Sequence, residues 1–259
     1  MFSRFVALGD STTEGLDDAD GSGGYRGWAD RLAERLATIN PSLGYANLAV
    51  RGRLAAQVHE QQLESALALD PDLASVLAGL NDVLRPGFDA HHIASHVEAM
   101  QRELVRIGAT VLTFTLPDPG PVLPIGRPFQ NRVLELNMAL RAACRRTGSL
   151  LVDLGRAPVA SDPRLWSEDR LHANGAGHAR LAAAAAAALN LPGADAAWAQ
   201  PLPPPRPRGR REQLAAELAW SRKHLIPWVG RRLRGTSSGD GIEPKRPELA
   251  PVVARSPVG

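Results

Sequence analysis

A single cysteine, Cys144, leaves this chain without the means to build an internal disulfide framework. That scarcity suits a reducing compartment. Cys144 falls in the series Phe129, Val133, Leu136, Leu140, Cys144, the apolar face of a helix, where a free thiol packs as a small hydrophobe rather than acting as a nucleophile. No apolar run reaches the roughly 18 residues of a membrane span. Residues 181–189 are apolar, but they are mostly alanine and too few. No secretory leader is visible: the first apolar run begins at residue 4, and a cleavage would remove the strand that carries the most interesting serine. A cytoplasmic location is therefore expected.

Charge of one sign is also missing from most of the chain. Residues 1–199 hold 18 Lys and Arg against 22 Asp and Glu, whereas residues 200–259 hold 12 against 5. The basic character belongs to the tail, and the body is mildly acidic. Because the tail arginines are not interleaved with base-stacking aromatics, nucleic acid is not an expected partner.

Five short runs rich in Val, Leu and Phe recur at 4–9, 44–50, 73–79, 109–115 and 149–153, each bounded by Gly, Pro, Asn or Asp. Helical stripes lie between them, among them Trp28, Leu32, Leu36, Ile39 and Ile93, Val97, Met100, Leu104, Ile107. This alternation predicts βαβ units and a parallel sheet covered by helices on both faces. A last helix spans about 174–189, with Asn174 as its cap. The expected domain spans 1–195. A Pro-rich linker follows over 196–209, with the run Gln-Pro-Leu-Pro-Pro-Pro-Arg-Pro-Arg-Gly at 200–209. A basic, partly helical extension takes 210–259: a helix over 210–226 with Leu214, Leu218 and Leu225 on one side, and irregular chain over 235–259.

In an open parallel sheet, ligands bind beyond the carboxyl ends of the strands. The segments expected there are Gly9-Asp10-Ser11, Arg51-Gly52, Gly79-Leu80-Asn81-Asp82, the Pro-rich loop 116–128, and the loop holding Asp169-Arg170-Leu171-His172. These residue types suit acyl transfer. Ser11 would attack an ester carbonyl, and His172 would take its proton and return it to the leaving alcohol. Asp169, three residues before His172, would hold the imidazole and stabilise its charged form. The N–H groups of Ser11 and Gly52 and the side-chain amide of Asn81 suit an oxyanion hole. Glycine at 52 lets a backbone N–H approach the substrate with no Cβ in the way. Gly-x-Ser-x-Gly would need glycine at 13, where Thr13 stands, so an ordinary α/β-hydrolase elbow is disfavoured.

Together the four blocks Gly9-Asp10-Ser11, Gly52, Gly79-Leu80-Asn81-Asp82 and Asp169-Arg170-Leu171-His172 resemble the SGNH hydrolases, also called GDSL esterases and lipases, in the family's order and over residues 5 to about 190. The resemblance implies a flavodoxin-like three-layer α/β/α sandwich with a five-stranded parallel sheet. It implies serine hydrolysis of esters that needs no metal or other cofactor. The implied nucleophile is Ser11, the oxyanion donors are Gly52 and Asn81, and the acid and base are Asp169 and His172. Thr12-Thr13 departs from the family's commonest residues after the serine, and the tail after about 195 has no counterpart in the family's core.

Other residues invite functional readings. Trp166 and Phe129 flank the site loops and are candidate substrate-binding residues. His91, His92 and His96 look like a metal cluster, but no carboxylate or cysteine completes it, and a solvated helix surface is the reading. Asp17, Asp18 and Asp20 among Gly21, Gly23 and Gly24 do not match an EF-hand and read as a mobile rim loop. His178 reads as structural or exposed, while Asp10 and Asp82 read as loop-bonding carboxylates.

The expected function is hydrolysis of carboxylic esters of small or medium acyl groups through a serine acyl-enzyme, with a small-molecule ester as substrate. Alternatives are acyl transfer or carbohydrate deacetylation on the same fold. From a different class comes a non-catalytic membrane- or partner-binding protein working through its basic tail, by which an esterase too could touch a membrane surface.

Overall fold

Along Arg4–Gly9, strand β1, side chains alternate between two apolar layers. Phe5 and Ala7 belong to one, Val6 and Leu8 to the other, and all four are fully buried. A strand covered on both faces needs helices above and below it. The computed structural model of this protein, which describes residues 1–123, 126–204, 209, 217–225 and 238–252, supplies them.

Along the chain, β1 leads into the short helix α1 (Ser11–Glu14), α2 (Gly27–Ile39), β2 (Gly44–Asn47) and α3 (Ala55–Ala68). Then come β3 (Leu73–Leu77), the single turn α4 (Leu80–Val83), α5 (Ala90–Arg106), β4 (Thr110–Phe114), α6 (Gln130–Thr147), β5 (Leu150–Val152) and α7 (Gly175–Ala188). A last strand, β6 (Arg246–Pro251), follows in the tail. The sheet order is β5-β4-β3-β1-β2-β6, with β1 to β5 mutually parallel and β6 antiparallel to β2.

The two layers follow from the helical stripes. Val58, Ile93, Val97, Met100, Leu104, Val133, Leu136 and Leu140 cover one face of the sheet from α3, α5 and α6. Trp28, Leu32 and Leu36 of α2 cover the other face, beside the small buried residues Ala182, Ala184, Ala185 and Ala186 of α7. Caps fix the helix starts. Asp89 accepts from the N–H groups of His91 and His92 at 2.9 and 3.0 Å, and Asn174 accepts from Ala176 and Gly177, both at 3.0 Å.

The expected mixed α/β fold with a mainly parallel sheet is the observed one. β1 keeps the bounds of its apolar run, and β2 to β5 are shorter than theirs, β2 most clearly, because Leu48, Ala49 and Val50 are buried beyond its end. The sixth, antiparallel strand departs from the expected five-stranded parallel sheet and from the irregular chain expected over 235–259. Arg246-Pro247-Glu248-Leu249-Ala250-Pro251 lacks a strand's apolar alternation, and proline is tolerated only at a sheet edge, which is where this segment lies. Residues 210–216 and 226 of the predicted 210–226 helix lie outside the described residues; 217–220 are helical and Ser221–Leu225 form a wider helical turn. Among the described residues, no helix is long and apolar enough to cross a membrane.

Candidate active site

Five parallel strands end on one edge of the sheet, so the loops that follow them converge there. Asp10 closes β1 and caps α1, its Oδ1 accepting from the Thr12 N–H at 3.1 Å. Ser11 is thereby the first residue of that helix, and it is 8% exposed. The end of β1 is held from α3, where the buried amide of Gln62 accepts from the Gly9 N–H and donates to the Gly9 carbonyl, each at 2.9 Å.

On the far side of the site, the segment between β5 and α7 closes on itself: the Ser167 N–H donates to the His172 carbonyl at 2.8 Å. Asp169 organises its interior. Oδ1 accepts from the Ser167 hydroxyl at 2.5 Å, the Leu171 N–H at 2.9 Å and the His172 N–H at 3.1 Å. Oδ2 lies 2.7 Å from His172 Nδ1, and His172 Nε2 lies 3.0 Å from Ser11 Oγ. Residues 161 positions apart in sequence thus meet in one hydrogen-bonded line.

The electrostatics of this line are consistent with its geometry. Burial opposes the charge of Asp169, but the bond and charge of His172 and the donors Ser167 and Leu171 outweigh it, holding the carboxyl well below its ordinary range. Burial likewise opposes the charge of His172, yet Asp169, then Asp17 and Asp10, raise the imidazole above its ordinary value. Asp10 behaves in the opposite way to Asp169. Burial pushes its carboxyl up to about 6, offset in part by the Thr12 N–H and by His172. Asp17 Oδ2 stands 3.9 Å from His172 Nδ1. Asp17, Asp169 and His172 are the one group among the described residues with three metal-type donor atoms close together. Within it, His172 Nδ1 and Asp169 Oδ2 are already hydrogen-bonded to each other.

The loop after β2 carries Gly52 in a left-handed conformation (φ 76°), which favours glycine. This loop hangs from α1. Glu14, 4% exposed, accepts from the Arg51 N–H at 2.8 Å and forms a two-toothed ion pair with the Arg51 guanidinium. From the loop after β3, Asn81 Nδ2 donates to Asp10 Oδ2 and to the Arg53 carbonyl, both at 3.1 Å. Asp82 accepts from the Ala55 N–H at 3.1 Å, the loop-bonding role expected of it. The two neighbours of Gly52 are thus bonded to α1 and to Asn81, and Asn81 to Asp10 beside Ser11.

Glu14, Arg51 and Gln62 escaped sequence reasoning. Glu14 and Arg51 carried a weak signal, opposite charges next to two of the motif blocks. Gln62 carried none, because only the packing of α3 brings it to Gly9.

Trp166 and Phe129 line cavities on this rim. One cavity is apolar and bounded by Thr12, Leu77, Leu80, Leu154, Trp166 and Trp198. The second is bounded by Leu80, Pro117, Phe129, Trp166, Arg170 and Leu171. Trp166, Leu80 and Pro117 border both, and the Trp166 indole N–H donates to the Ala160 carbonyl at 3.0 Å. Phe129 borders only the second.

Three side readings fare differently. Within the 17–24 segment Asp17, Gly21, Ser22 and Gly23 are exposed, but Asp18 is buried, pairs with Arg31 through two bonds of 2.9 Å and accepts from the Gly27 N–H. His178 is fully buried, with Nδ1 accepting from the Trp28 N–H at 3.2 Å and Nε2 facing the Leu16 carbonyl at 3.0 Å. His91 and His92 are exposed, but His96 is half-buried, and its Nδ1 lies 3.1 Å from Nδ1 of His59 on α3.

Comparison with known proteins agrees with this architecture. The sequence profile of the GDSL-like Lipase/Acylhydrolase family matches residues 7–180. Among solved structures, the chain is similar to Axe2, an acetylxylan esterase from Geobacillus stearothermophilus, at 18% identity and a TM-score of 0.60, over 73% of this chain and 94% of that one. It is similar to TesA at 22% identity and a TM-score of 0.59, over 72% and 98% of the two chains. It is also similar to LAE5, an alpha/beta hydrolase enzyme from the metagenome of Lake Arreo, Spain, at 24% identity and a TM-score of 0.58, over 73% and 95%. At these identities the likeness is one of fold. No curated protein matches the chain.

Proposed function

The chain belongs to the GDSL-like lipase/acylhydrolase family and is an ester-bond hydrolase, and on that premise we propose that it cleaves carboxylic esters of small or medium acyl groups through an acyl-enzyme on Ser11. One observation carries the reading: the hydrogen-bonded line from Ser11 Oγ through His172 to Asp169, at 3.0 and 2.7 Å.

In the proposed reaction, Ser11 Oγ attacks the ester carbonyl carbon while its proton passes to His172 Nε2. Positioned proton transfer of this kind is worth about 10²–10⁴-fold. Asp169 keeps Nδ1 protonated and stabilises the imidazolium. The negative oxygen of the tetrahedral intermediate is received by the N–H groups of Ser11 and Gly52 and by Asn81, which turns one of its two engaged amide hydrogens to it. As the intermediate collapses, His172 gives its proton to the leaving alcohol and the acyl group stays on Ser11. Water then enters and is deprotonated by His172, and the same steps run in reverse to release the acid and free the serine. Thr12, next to the nucleophile, borders an apolar cavity, which supports an acyl chain rather than a polar group on that side.

A fluorophosphonate probe tests the reading. Covalent attachment at Ser11, abolished in Ser11→Ala, is expected. Labelling that survives the substitution would remove Ser11 from the role. Hydrolysis rates over a series of p-nitrophenyl esters then give the acyl preference.

A further inference from the structure

The family match ends at residue 180, yet the tail beyond it returns to both loops that build the site. From 217–225, Glu217 pairs with Arg170 at 2.7 Å, the Trp220 ring lies against the Arg170 guanidinium at 4.8 Å, and Lys223 pairs with Glu168 at 2.5 Å. Glu168 and Arg170 are the two neighbours of Asp169. From 238–252, the Gly239 carbonyl accepts from the Arg53 guanidinium at 3.4 Å. A Cβ on Gly239 would lie 2.0 Å from the Arg51 carbonyl, so the tail fits there only as glycine.

Arg170 is the point where this matters. Its backbone is left-handed (φ 61°), a conformation that non-glycine residues adopt at a cost. The turn at Arg170 is what lets Leu171 and His172 present their N–H groups to Asp169 Oδ1, leaving Oδ2 for the imidazole. The side chain of this strained residue is 22% exposed, gripped by Glu217 and covered by Trp220, itself 7% exposed. Ion pairing and cation–π stacking together restrain a guanidinium more tightly than either alone.

We propose that residues 217–225 act as a strap that holds the Asp169–His172 loop in its working geometry, with Arg170 as the positioning residue and Glu217 and Trp220 as its anchors. The proposal rests on the triad reading above. None of the three residues touches the reacting atoms. They act through the separation and alignment of Asp169, His172 and Ser11, where a displacement of about 1 Å can cost up to about 10²-fold in rate.

The test uses the full-length chain. Wild type is first labelled with a fluorophosphonate. Glu217→Gln, Trp220→Ala and Trp220→Phe are then assayed on a short p-nitrophenyl ester across pH. In Glu217→Gln and Trp220→Ala, kcat should fall about 5- to 20-fold with KM changed less than about 2-fold, since the loss falls on the transition state. The acid limb of kcat/KM should move to lower pH, because a loosened Asp169 supports the His172 charge less well. The other charged groups facing His172, Asp17 and Asp10, are untouched by these changes. Trp220→Phe, which keeps a ring over Arg170, should recover most of the rate. Were the tail contacts only structural, the variants would lose stability while kcat per folded molecule and the acid limb stayed at wild-type values, and that result would overturn the strap. Glu217 is 42% exposed, so Glu217→Gln keeps the test decisive should Trp220→Ala fail to fold. Wild-type labelling away from Ser11 would defeat the triad reading itself, whereas labelling at Ser11 with unaffected variants defeats the strap alone.

Discussion

Asn81 Nδ2 donates to Asp10 Oδ2 across 3.1 Å, so the residue that caps the serine's own helix also orients the side chain proposed to receive the oxyanion. The second amide hydrogen goes to the Arg53 carbonyl at the same distance. Asn81 is thus held in place before any substrate arrives. Both of its amide hydrogens are engaged, so to serve the oxyanion Asn81 must exchange one of these bonds for one to the substrate oxygen, while the other keeps it in place.

Asn81→Ala should therefore lower kcat by about 10²- to 10³-fold while KM changes less than about 3-fold. Steady-state kinetics on one ester decides this. A change confined to KM would mean that Asn81 holds substrate rather than the developing charge.

Glu14 and Arg51 connect the serine's helix to the Gly52 loop. In Glu14→Gln the partly buried guanidinium loses its counter-charge but keeps a hydrogen-bond acceptor, so urea unfolding should show a loss of about 1–3 kcal/mol. Turnover should fall about 10-fold as the Gly52 loop loosens. Unchanged stability and rate together would show that the ion pair is incidental.

The pH profile follows from the charges around His172. Only the neutral imidazole accepts the serine's proton, and Asp169, Asp17 and Asp10 raise His172 above its ordinary value. Activity should therefore appear with rising pH along a limb centred above about 6.5, the unperturbed imidazole value. Asp17→Asn removes one of those charges, and asparagine tolerates the left-handed backbone at position 17 (φ 66°). The limb should move to lower pH, and by less at high salt, because Asp17 is partly exposed. A limb that stays in place would mean that Asp17 does not act on His172.

Trp166 stands between the two cavities. Trp166→Ala should join them and shift the acyl preference toward longer esters, read as the ratio of kcat/KM for octanoyl and acetyl p-nitrophenyl esters. An unchanged ratio would place the acyl chain elsewhere.

Much of the site was legible because its chemistry is local in sequence. Gly9-Asp10-Ser11 follows an apolar run, and Asp169 reaches His172 within one turn of chain, so residue type and short spacing carried the signal. The parallel sheet was legible for the same kind of reason, as alternation between apolar runs and helical stripes. What escaped depends on partners distant in sequence. Glu14 meets Arg51, Gln62 meets Gly9, and Asp18 meets Arg31, each through packing that no local pattern encodes. β6 escaped because an edge strand needs neither apolar alternation nor freedom from proline.

The order of residue types along the chain by itself determined which groups were on offer: a hydroxyl behind the first strand, an imidazole with a carboxylate three residues away, and glycine and asparagine on intervening loops. Only the tertiary structure decided that these groups share one rim, that Asn81 is oriented by Asp10, and that the tail reaches Arg170. The physical reason is reach. Hydrogen bonds and ion pairs act over about 3 Å, so partners separated by tens or hundreds of residues are selected by how strands and helices pack, which local periodicity does not specify.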